Sequence, residues 1–292
     1  MADPSSAQRP ERDSQPASRV IRAPIAPEPE PHEIEASLQD KAARHEQRTP
    51  LQVVLSGLIG GLDVGFSPLG MAFVASHLTP LMGGDGAAIL GALVYPIGFI
   101  FVILGRSQLF TESTLTPALG VMSGASTVRR LAQQWALVLG ANLIGALIFA
   151  LFIAGTGPLA RDYGPVLIST SRHLLSFDLG ATFLSAILSG WVMGILSWLL
   201  AAADSTLARV AFVYLATFLI AAAPLHHSIS GATEVLSAVM LGGVTAGDWW
   251  WRFQVPVTIG NAVGGVVLVA ALRFLQAGGT GRPRGFEEQD DG

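Results

Sequence analysis

Residues 222–234 read AAPLHHSISGATE, a polar, proline-containing stretch between two strongly apolar runs. The run before it is AFVYLATFLIAA at 211–222, and the run after it includes VLSAVMLGGV at 235–244. Backbone N–H and C=O groups that a helix break sets free cannot face lipid, because nothing there pairs with them. The stretch therefore predicts a transmembrane helix that is broken where it faces protein or a water-filled cavity.

The composition is typical of a membrane protein. Of the 292 residues, 51% are hydrophobic and 13% are charged, whereas soluble domains carry about 25% charged residues. The net charge of −4 comes mostly from the ends and loops of the chain, so no nucleic-acid partner is predicted. The absence of cysteine excludes disulfide bonds, cysteine-ligated zinc and a catalytic thiol. We expect a protein embedded in the lipid bilayer, without a cofactor.

Six apolar segments follow one another along the chain, and a helix needs about 20 residues to cross a bilayer. The second segment is followed by GRSQLFTESTLTPALGVMSG at 105–124, which is too polar for a simple helix and too apolar for a solvated loop. The fifth is too long for one straight span, and its middle is the stretch quoted above. The transmembrane domain is assigned to residues 49–277. Its segments are 51–78, 86–105, 132–156, 179–202, 208–241 and 255–276.

Both ends of the chain are poor in apolar residues. Residues 1–48 are predicted to form a mostly disordered tail, because its first part is rich in Pro, Ser, Arg and Glu. Near the end of this tail, Ile34, Leu38 and Ala42 are spaced four residues apart, which favours a short amphipathic helix. A solvated continuation of the tail is the alternative. Residues 278–292 are predicted to form a second disordered tail.

Arginine is distributed unevenly between the two sides of the predicted spans. Cytoplasmic loops carry an excess of Lys and Arg, and an even number of spans places both termini on one side. We therefore expect a multi-pass protein of the cell (inner) membrane with both termini in the cytoplasm. The arginines on that side are Arg44, Arg48, Arg129, Arg130, Arg209, Arg273, Arg282 and Arg284, and the opposite loops hold Arg161, Arg172 and Arg252.

The six segments divide into two sets of three that share a motif in the third segment. The motif reads GANLIGAL at 140–147 and GNAVGGVV at 260–267, so that each copy has Asn-x-x-Gly followed by a small residue. Each middle segment also carries a polar interruption, QLFTEST at 108–114 and LHHSISG at 225–231. With three crossings per unit, the second unit must be inverted relative to the first.

The spacing between interruption and motif is similar in the two sets. Phe110 lies 32 residues before Asn142, and His227 lies 34 residues before Asn261. Broken helices at matching positions of inverted repeats indicate a substrate path near the bilayer midplane. The N-termini of the half-helices offer positive dipole ends and free N–H donors to that path, which suits an anion.

These features resemble the formate/nitrite transporter family over about residues 50–275. Leu-Phe-Thr at 109–111 is similar to the family's loop in the second helix, and His-Ser-Ile at 227–229 is similar to the break in its fifth helix. PVTIGNAVGG at 256–265 closely resembles the family's sixth-helix motif, and SGLIGGLDVGF at 56–66 resembles its first helix. The order and spacing of the four motifs carry the resemblance.

The resemblance implies an all-α membrane protein with six transmembrane helices. They form two inverted three-helix repeats in an aquaporin-like fold, with broken second and fifth helices. It also implies a homopentamer with one pore per protomer, which passes small monovalent anions or their neutral acids, such as formate, nitrite or hydrosulfide. The expected protein is a channel or transporter and not an enzyme. Aquaporins themselves are disfavoured because the sequence contains no Asn-Pro-Ala motif.

The resemblance further implies which residues form the pore. His227 takes the position of the central pore histidine, and Thr111 approaches it from the loop in the second helix. Tyr95 and Phe99 fall where the family places a hydrophobic constriction. The other expected pore residues are Leu109 and Ile220, which flank the passage, Asn261 on the sixth helix, Phe110 and His226.

Histidine suits this position because it gains or loses a proton near neutral pH. Dehydrating an anion in an apolar constriction is costly. A proton on or through His227 would offset part of that cost, or would let the substrate cross as its neutral acid. Thr111 and Asn261 would supply neutral hydrogen bonds. The alternatives are a histidine that pairs a freed carbonyl, plain packing for Tyr95 and Phe99, and bonds from helix to helix for Asn142 and Asn261.

The sequence departs from the family pattern at three positions. The acidic residue usual before the central histidine is His226 here, and the asparagine usual four residues after it is Gly231. The lysine at the outer entrance of formate-transporting members has no counterpart in SRHLLSFDLG at 171–180, although Arg172 and His173 are near. A non-conducting structural or sensory member of the same fold, or one for another solute, is therefore the alternative function.

Three charged residues, Asp63, Arg106 and Glu234, fall within or directly after predicted spans, where an unpaired charge is costly. We expect Arg106 to form an ion pair with Asp63 or with Glu234. A third class of function, an intramembrane enzyme, would use His226, His227 and Glu234 as metal ligands. The sequence has no HExxH motif, and the gap between His227 and Glu234 crosses a helix break, so no metal site is expected.

Overall fold

The computed structural model describes residues 28–278, which form helices joined by turns and contain no strand. The predicted all-α class is therefore confirmed for this part of the chain. Residues 1–27 and 279–292 lie outside the described range, and with them 27 of the 48 residues of the first predicted tail and all but residue 278 of the second.

The first helix, α1 (Pro31–Glu46), is the short amphipathic helix that the sequence analysis considered beside a solvated tail. A proline at its first position and a reciprocal capping box around its first turn stabilise its start. The apolar residues Ile34, Leu38 and Ala42 are buried, so α1 is docked on the rest of the protein. Its cluster partners are Leu115, Leu119, Trp198 and Val269.

A helical run of 55 residues follows, from Pro50 to Leu104. A straight helix of this length would measure about 80 Å, more than twice the hydrocarbon thickness of a bilayer. The run is bent at Gly83, three residues after Pro80, where a φ of 81° takes the left-handed conformation that glycine adopts without strain. Its ends pack on each other as a result. The three parts are α2 (Pro50–Asp63), α3 (Phe66–Val94) and α4 (Pro96–Leu104).

The next four helices include one that the sequence analysis missed. Residues 157–174 lie between two of the predicted apolar segments, and their Arg161 and Arg172 were assigned to a loop. They form an 18-residue helix whose buried side includes Leu167 and Ser171, and which packs on the helix that follows the second break. The four are α5 (Leu115–Met122), α6 (Val128–Gly155), α7 (Gly157–Leu174) and α8 (Leu179–Ala202).

The last third of the chain contains the stretch that opened the sequence analysis. The fifth apolar segment is divided as predicted, into α9 (Thr206–Ala222) and α10 (Ser230–Met240). The final helix, α11 (Asp248–Gln276), is continuous but has π-helical turns at Asp248–Gln254 and Val266–Ala271.

Several of these helices are long and apolar enough to cross a membrane. Within residues 28–278 there are four such runs, and α9 is apolar but has only 17 residues. Large apolar side chains cover much of their outer surface, as expected where lipid or a neighbouring subunit is the contact. The four runs are Pro50–Leu104, Val128–Gly155, Leu179–Ala202 and Asp248–Gln276.

Two helix crossings form the centre of the structure, α2 with α6 and α8 with α11. Glycines allow backbones to approach closely in both, as is common between transmembrane helices. A Cβ atom at Gly61 would overlap the backbone carbonyl of Asn142, and one at Gly190 would overlap the carbonyl of Asn261. Both crossings therefore require a glycine, which has no side chain, at the point of closest approach.

The expected ion pair of Arg106 is not formed. No acidic oxygen of the described residues lies within 4.0 Å of its guanidinium, and Glu234 lines a different cavity of the protein. The charged residue that is paired inside the protein is one that the sequence analysis did not select. Glu112, in the interruption of the second helix, accepts a 2.7 Å bond from Lys41 of α1. The Glu112 side chain is 7% exposed and that of Lys41 36%, so this bond fastens α1 to the break.

Lys41→Met is expected to destabilise the protein, because it leaves the buried Glu112 carboxylate without its cation. Since Lys41 is more than a third exposed, we expect a loss of about 1 kcal/mol, or about 2–4 °C in thermal midpoint. The double variant Lys41→Met, Glu112→Gln should recover most of that loss, because it removes both charges. Thermal unfolding of the purified proteins measures this, and equal losses in the single and double variants would contradict it.

Gly61→Ala and Gly190→Ala are each expected to cost at least about 2 kcal/mol, because the added methyl meets backbone that cannot rotate away. The matched control is Gly140→Ala in α6, where a Cβ meets no atom within 4 Å and alanine improves helix propensity. Size-exclusion chromatography of fluorescently tagged protein reports the folded yield. A normal yield for Gly61→Ala would contradict the close crossing.

Candidate functional site

The two helix breaks lie at corresponding places in the two halves of the structure. The first break is residues 105–114, between α4 and α5, and the second break is residues 223–229, between α9 and α10. Their backbone is buried: Leu109 and Ile229 are fully inaccessible. Since buried N–H and C=O groups must be paired, each break needs partners from elsewhere in the fold.

Asn142 of α6 supplies those partners to the first break. Its Oδ1 accepts a 2.8 Å bond from the N–H of Phe110. Its Nδ2 donates to the carbonyls of Gln108, at 2.9 Å, and of Gly57 in α2, at 2.6 Å. One amide therefore ties the first break to the crossing of α2 and α6.

Asn261 of α11 does the same for the second break. Its Oδ1 accepts a 2.8 Å bond from the N–H of Ser228. Its Nδ2 donates to the carbonyls of His226, at 2.9 Å, and of Ala186 in α8, at 2.8 Å. All three bonds match those of Asn142, and this places Asn261 beside the break with its polar atoms fully used by backbone.

The matching bonds correct the alignment of the two halves. Phe110 and Ser228 hold the same position relative to their asparagines, at separations of 32 and 33 residues. The sequence analysis had paired Phe110 with His227, which is one residue too early. Motif spacing alone could not detect this shift, because the two breaks differ in length.

His227 and Thr111 bring the two breaks into contact. Nε2 of His227 lies 2.7 Å from Oγ1 of Thr111, and the two side chains are 2% and 1% exposed. Nδ1 of the same ring lies 3.3 Å from the backbone nitrogens of Ile229 and Ser230. The predicted approach of Thr111 to His227 is thus present in the structure.

The partners of His227 indicate which ring nitrogen carries the proton. Backbone N–H groups only donate, so Nδ1 acts as the acceptor. The proton of the neutral ring then lies on Nε2 and is donated to Thr111. A second proton on Nδ1 would be repelled by the N–H groups of Ile229 and Ser230, which already donate to this nitrogen. The surroundings therefore favour the neutral ring over the protonated one.

The ring of His227 borders an apolar cluster that contains Phe99 and Tyr95. The ring of Phe99 meets that of His227 edge-on, with ring centroids 5.0 Å apart. The ring centroid of Tyr95 lies 5.3 Å from that of Phe99. The hydroxyl of Tyr95 hydrogen-bonds Ser230, whose Oγ is also 3.3 Å from His227 Nδ1. The other predicted residues in this apolar cluster are Leu109, Phe110 and Ile220.

His226 is turned away from this cluster. Its Nδ1 lies 2.9 Å from Ser185 Oγ in α8, and its Nε2 lies 3.1 Å from the carbonyl of Leu174 in α7. Its ring faces Phe177 and Phe253. The structure therefore does not bring His226 to the His227–Thr111 pair.

The metal-ligand arrangement considered for an enzyme is also not assembled. The rings of His226 and His227 point to different partners, and Glu234 accepts a bond from Ser171 only through its backbone carbonyl. Among the described residues, no group of three or more His, Asp or Glu side chains is arranged to hold a metal ion.

Two residues of the site were missed by the sequence analysis. Ser230 links Tyr95 to His227, and Glu112 links the first break to α1. Lys41 is the only lysine in the sequence, and this was the available signal that a single acidic partner should be sought for it. For Ser230 no signal beyond its place in the second break was present.

The apolar helical runs, the two buried breaks and the close helix crossings define a multi-pass helical membrane protein. The sequence signature of the formate/nitrite transporter family matches residues 32–275. The chain belongs to the formate/nitrite transporter family, whose members are transporters and channels and not enzymes.

Individual relatives agree with this assignment. The inner membrane protein YfdC of Escherichia coli (strain K12) is 30% identical over 253 residues, which cover 83% of this chain and 77% of that protein. A solved FNT family ion channel has a TM-score of 0.71 at 20% identity, covering 84% of this chain and 98% of the other. A solved pentameric formate channel with formate bound has a TM-score of 0.65 at 20% identity, covering 78% and 97%.

Asn142→Asp and Asn261→Asp are expected to destabilise the protein by similar amounts, because the two asparagines make matching hydrogen bonds. Each change replaces an NH₂ group that donates to two carbonyls by an oxygen that repels them. We expect a loss of about 3 kcal/mol or more, since the group is fully buried. The amide-to-acid control is Gln133→Glu on the exposed side of α6. Thermal unfolding measures all three, and a native-like midpoint for either asparagine variant would contradict the shared role.

Proposed function

We propose that the protein is a channel or transporter for small monovalent anions or their neutral acids, of the formate, nitrite and hydrosulfide class. The observation that carries the proposal is the buried His227–Thr111 bond at the junction of the two breaks. Family membership and the fold shared with a solved formate channel support it. In this proposal His227 and Thr111 are the central groups of the path.

The chemistry of the junction favours a substrate that crosses as its neutral acid. The neutral His227 ring donates its Nε2 proton to Thr111, which leaves the Thr111 hydroxyl proton free to bond a substrate oxygen. Phe99, Leu109 and Ile220 offer no polar atom, so an anion would lose its hydration there without replacement. A substrate that takes up a proton avoids most of that cost.

The same proposal includes constriction roles for the residues around the junction. Tyr95 and Phe99 form one apolar constriction, and Leu109, Phe110 and Ile220 form the other side of the passage. Asn261 acts by holding the second break in place and not by contacting substrate, since its polar atoms are bonded to backbone. His226 also supports the second break and does not contact substrate, because its ring nitrogens are bonded to Ser185 and to the carbonyl of Leu174.

We also propose six transmembrane helices arranged as two inverted three-helix repeats within residues 49–277. The 55-residue run is long enough for two crossings and is bent between them, and α9, the second break and α10 together make one crossing. The matched bonds of Asn142 and Asn261 support the repeat. Three crossings per half would invert the second half, as in many transporters.

The proposed assembly is a homopentamer in the inner membrane with both termini in the cytoplasm. The related formate channel is pentameric, and the relative YfdC is an inner membrane protein. The arginine distribution supports the orientation. The proposed membrane domain comprises residues 49–277, and α1 lies before it.

His227→Ala and Thr111→Val are each expected to lower the flux of formate, nitrite or hydrosulfide by about tenfold or more, because each removes one partner of the central bond. The measurement is flux into proteoliposomes that contain a pH-sensitive dye. Acetate is offered as a larger acid, to show how size limits passage. The fastest of the four solutes would identify the preferred substrate.

His77→Ala is the matched control, because His77 is an exposed histidine of α3 outside the junction. Its flux should equal that of the native protein. If correctly assembled native protein gave no flux above empty liposomes for any of the four solutes, the alternative of a non-conducting member or one for another solute would replace this proposal.

A further inference from the structure

A second site is formed where α1 meets the membrane-spanning helices. A cavity of about 420 Å³ lies between α1, the first break and the ends of α8 and α9. Five cationic side chains line it, against the single carboxylate of Glu112. Because Glu112 is already paired with Lys41, the remaining charges are not balanced. The cations are Lys41, Arg44, Arg48, Arg106 and Arg209.

The guanidinium groups of the four arginines of this cavity lack partners within residues 28–278. None of the side chains of Arg44, Arg48, Arg106 and Arg209 forms a hydrogen bond or an ion pair with a described residue. Arg48 and Arg209 are half-buried, and Arg44 and Arg106 are exposed. Solvent screens part of the repulsion between these arginines, and an anion bound among them would remove more of it. The charge of the cavity therefore indicates an anionic ligand.

Arg106 holds its place at a conformational cost. It is the only described residue other than glycine with a positive φ, at 57°. This left-handed conformation costs a residue with a side chain of order 1 kcal/mol, and glycine would adopt it without strain. An arginine at this position, directly after α4, puts a guanidinium into the cavity that glycine would not supply.

Uncharged polar groups of the cavity are also unpaired. Gln108 is 2% exposed, and neither its Nε2 nor its Oε1 has a partner among the described residues. Leaving both ends of a buried amide without a bond is costly, so the side chain points to a missing partner. Nδ1 of His45 is buried without a partner as well.

His45 is held in its neutral form mainly by burial, and the nearby cations act in the same direction. Burial, and then the neighbouring cations Lys41, Arg48 and Arg44, lower the pKa of His45 to about 4. The ring is therefore neutral at pH 7, and it contributes hydrogen bonds but no further charge.

We propose that this cavity binds an anion that carries a phosphate group and at least two negative charges, and that the anion fastens α1 to the ends of α4 and α9. Arg44 and Arg48 contact it from α1 and the turn that follows, and Arg106 and Arg209 from the membrane-spanning part. A phosphate offers three or more oxygens to several guanidinium groups at once, which a small monovalent anion cannot do. The volume also exceeds what formate or nitrite would fill.

The site differs from the His227–Thr111 junction in its chemistry. The junction offers neutral donors and apolar walls, whereas the cavity offers four unpaired guanidinium groups. Binding there does not depend on the proposed transport function. The phosphate group belongs either to a soluble molecule or to an anionic phospholipid headgroup, and the experiment separates these sources.

The test is the thermal midpoint of the purified oligomer, and its calorimetric titration, with inorganic pyrophosphate as the probe. Native protein reconstituted in phosphatidylcholine nanodiscs should be stabilised by pyrophosphate, and not by formate at equal ionic strength, because only a bound ligand raises the midpoint by mass action. Arg209→Gln should weaken pyrophosphate binding by about tenfold or more. Arg106→Gly should weaken it as much without lowering the midpoint of the ligand-free protein.

The control variant is Arg129→Gln, which removes an exposed arginine that does not line the cavity. Its binding of pyrophosphate should stay within about twofold of the native value. A loss equal to that of Arg209→Gln would overturn the proposal, and so would an equal stabilisation by formate, since both would indicate a general charge effect.

A second set of nanodiscs, with phosphatidic acid added to the phosphatidylcholine, identifies the source of the phosphate. Stabilisation by phosphatidic acid that is lost in Arg209→Gln supports the site with a lipid headgroup as its ligand. Stabilisation by pyrophosphate without phosphatidic acid supports it with a soluble ligand. Absence of stabilisation in both sets would overturn the proposal. None of these measurements involves flux, so their outcome is independent of whether the protein transports formate.

Discussion

The interaction on which the structure most depends is the bonding of two side-chain amides to broken backbone. The sequence contains two asparagines, Asn142 and Asn261, and each makes one acceptor and two donor bonds to a break and to the neighbouring helix. A break in a helix within a membrane leaves polar backbone that neither lipid nor apolar side chains can pair. The two amides pair the exposed backbone groups of both breaks in the same way. The close helix crossings at glycine bring the amides within hydrogen-bonding distance of these groups.

The placement of the His227–Thr111 pair follows from this bonding. Because Asn142 holds Phe110 and Asn261 holds Ser228, the residues next to them are fixed in position on either side of the junction. Thr111 and His227 are these neighbours, and their bond joins the two halves of the structure. The distance between the two side chains is thus a result of rigid backbone on both sides, and does not depend on the packing of flexible loops.

Much of this could be predicted from the sequence, and the failures have physical causes. The interruption after α9 was predicted because proline, glycine and polar residues within an apolar run restrict the backbone strongly. The matching asparagine motifs can be seen directly in the sequence, and the approach of Thr111 to His227 was implied by the resemblance to the formate/nitrite transporter family. Helix α7 was missed because charged residues and Pro165 interrupt its apolar residues, so that its amphipathic pattern is difficult to recognise in the sequence. The ion pair of Arg106 was predicted from charge alone, and charge does not reveal which elements lie close in space. Lys41 and Glu112 are 71 residues apart in sequence, and only the fold brings them together.

The bond between Lys41 and Glu112 allows the contact between α1 and the first break to be monitored by chemical labelling. Lys41 is the only lysine, so its side-chain amine is the single one in the protein that an acylating reagent can label. An ammonium group held by a carboxylate at 2.7 Å is a poor nucleophile, because it must first lose both its partner and a proton. The rate at which this one amine reacts would therefore report how often the ion pair between α1 and the first break opens, in a native protein that needs no introduced label.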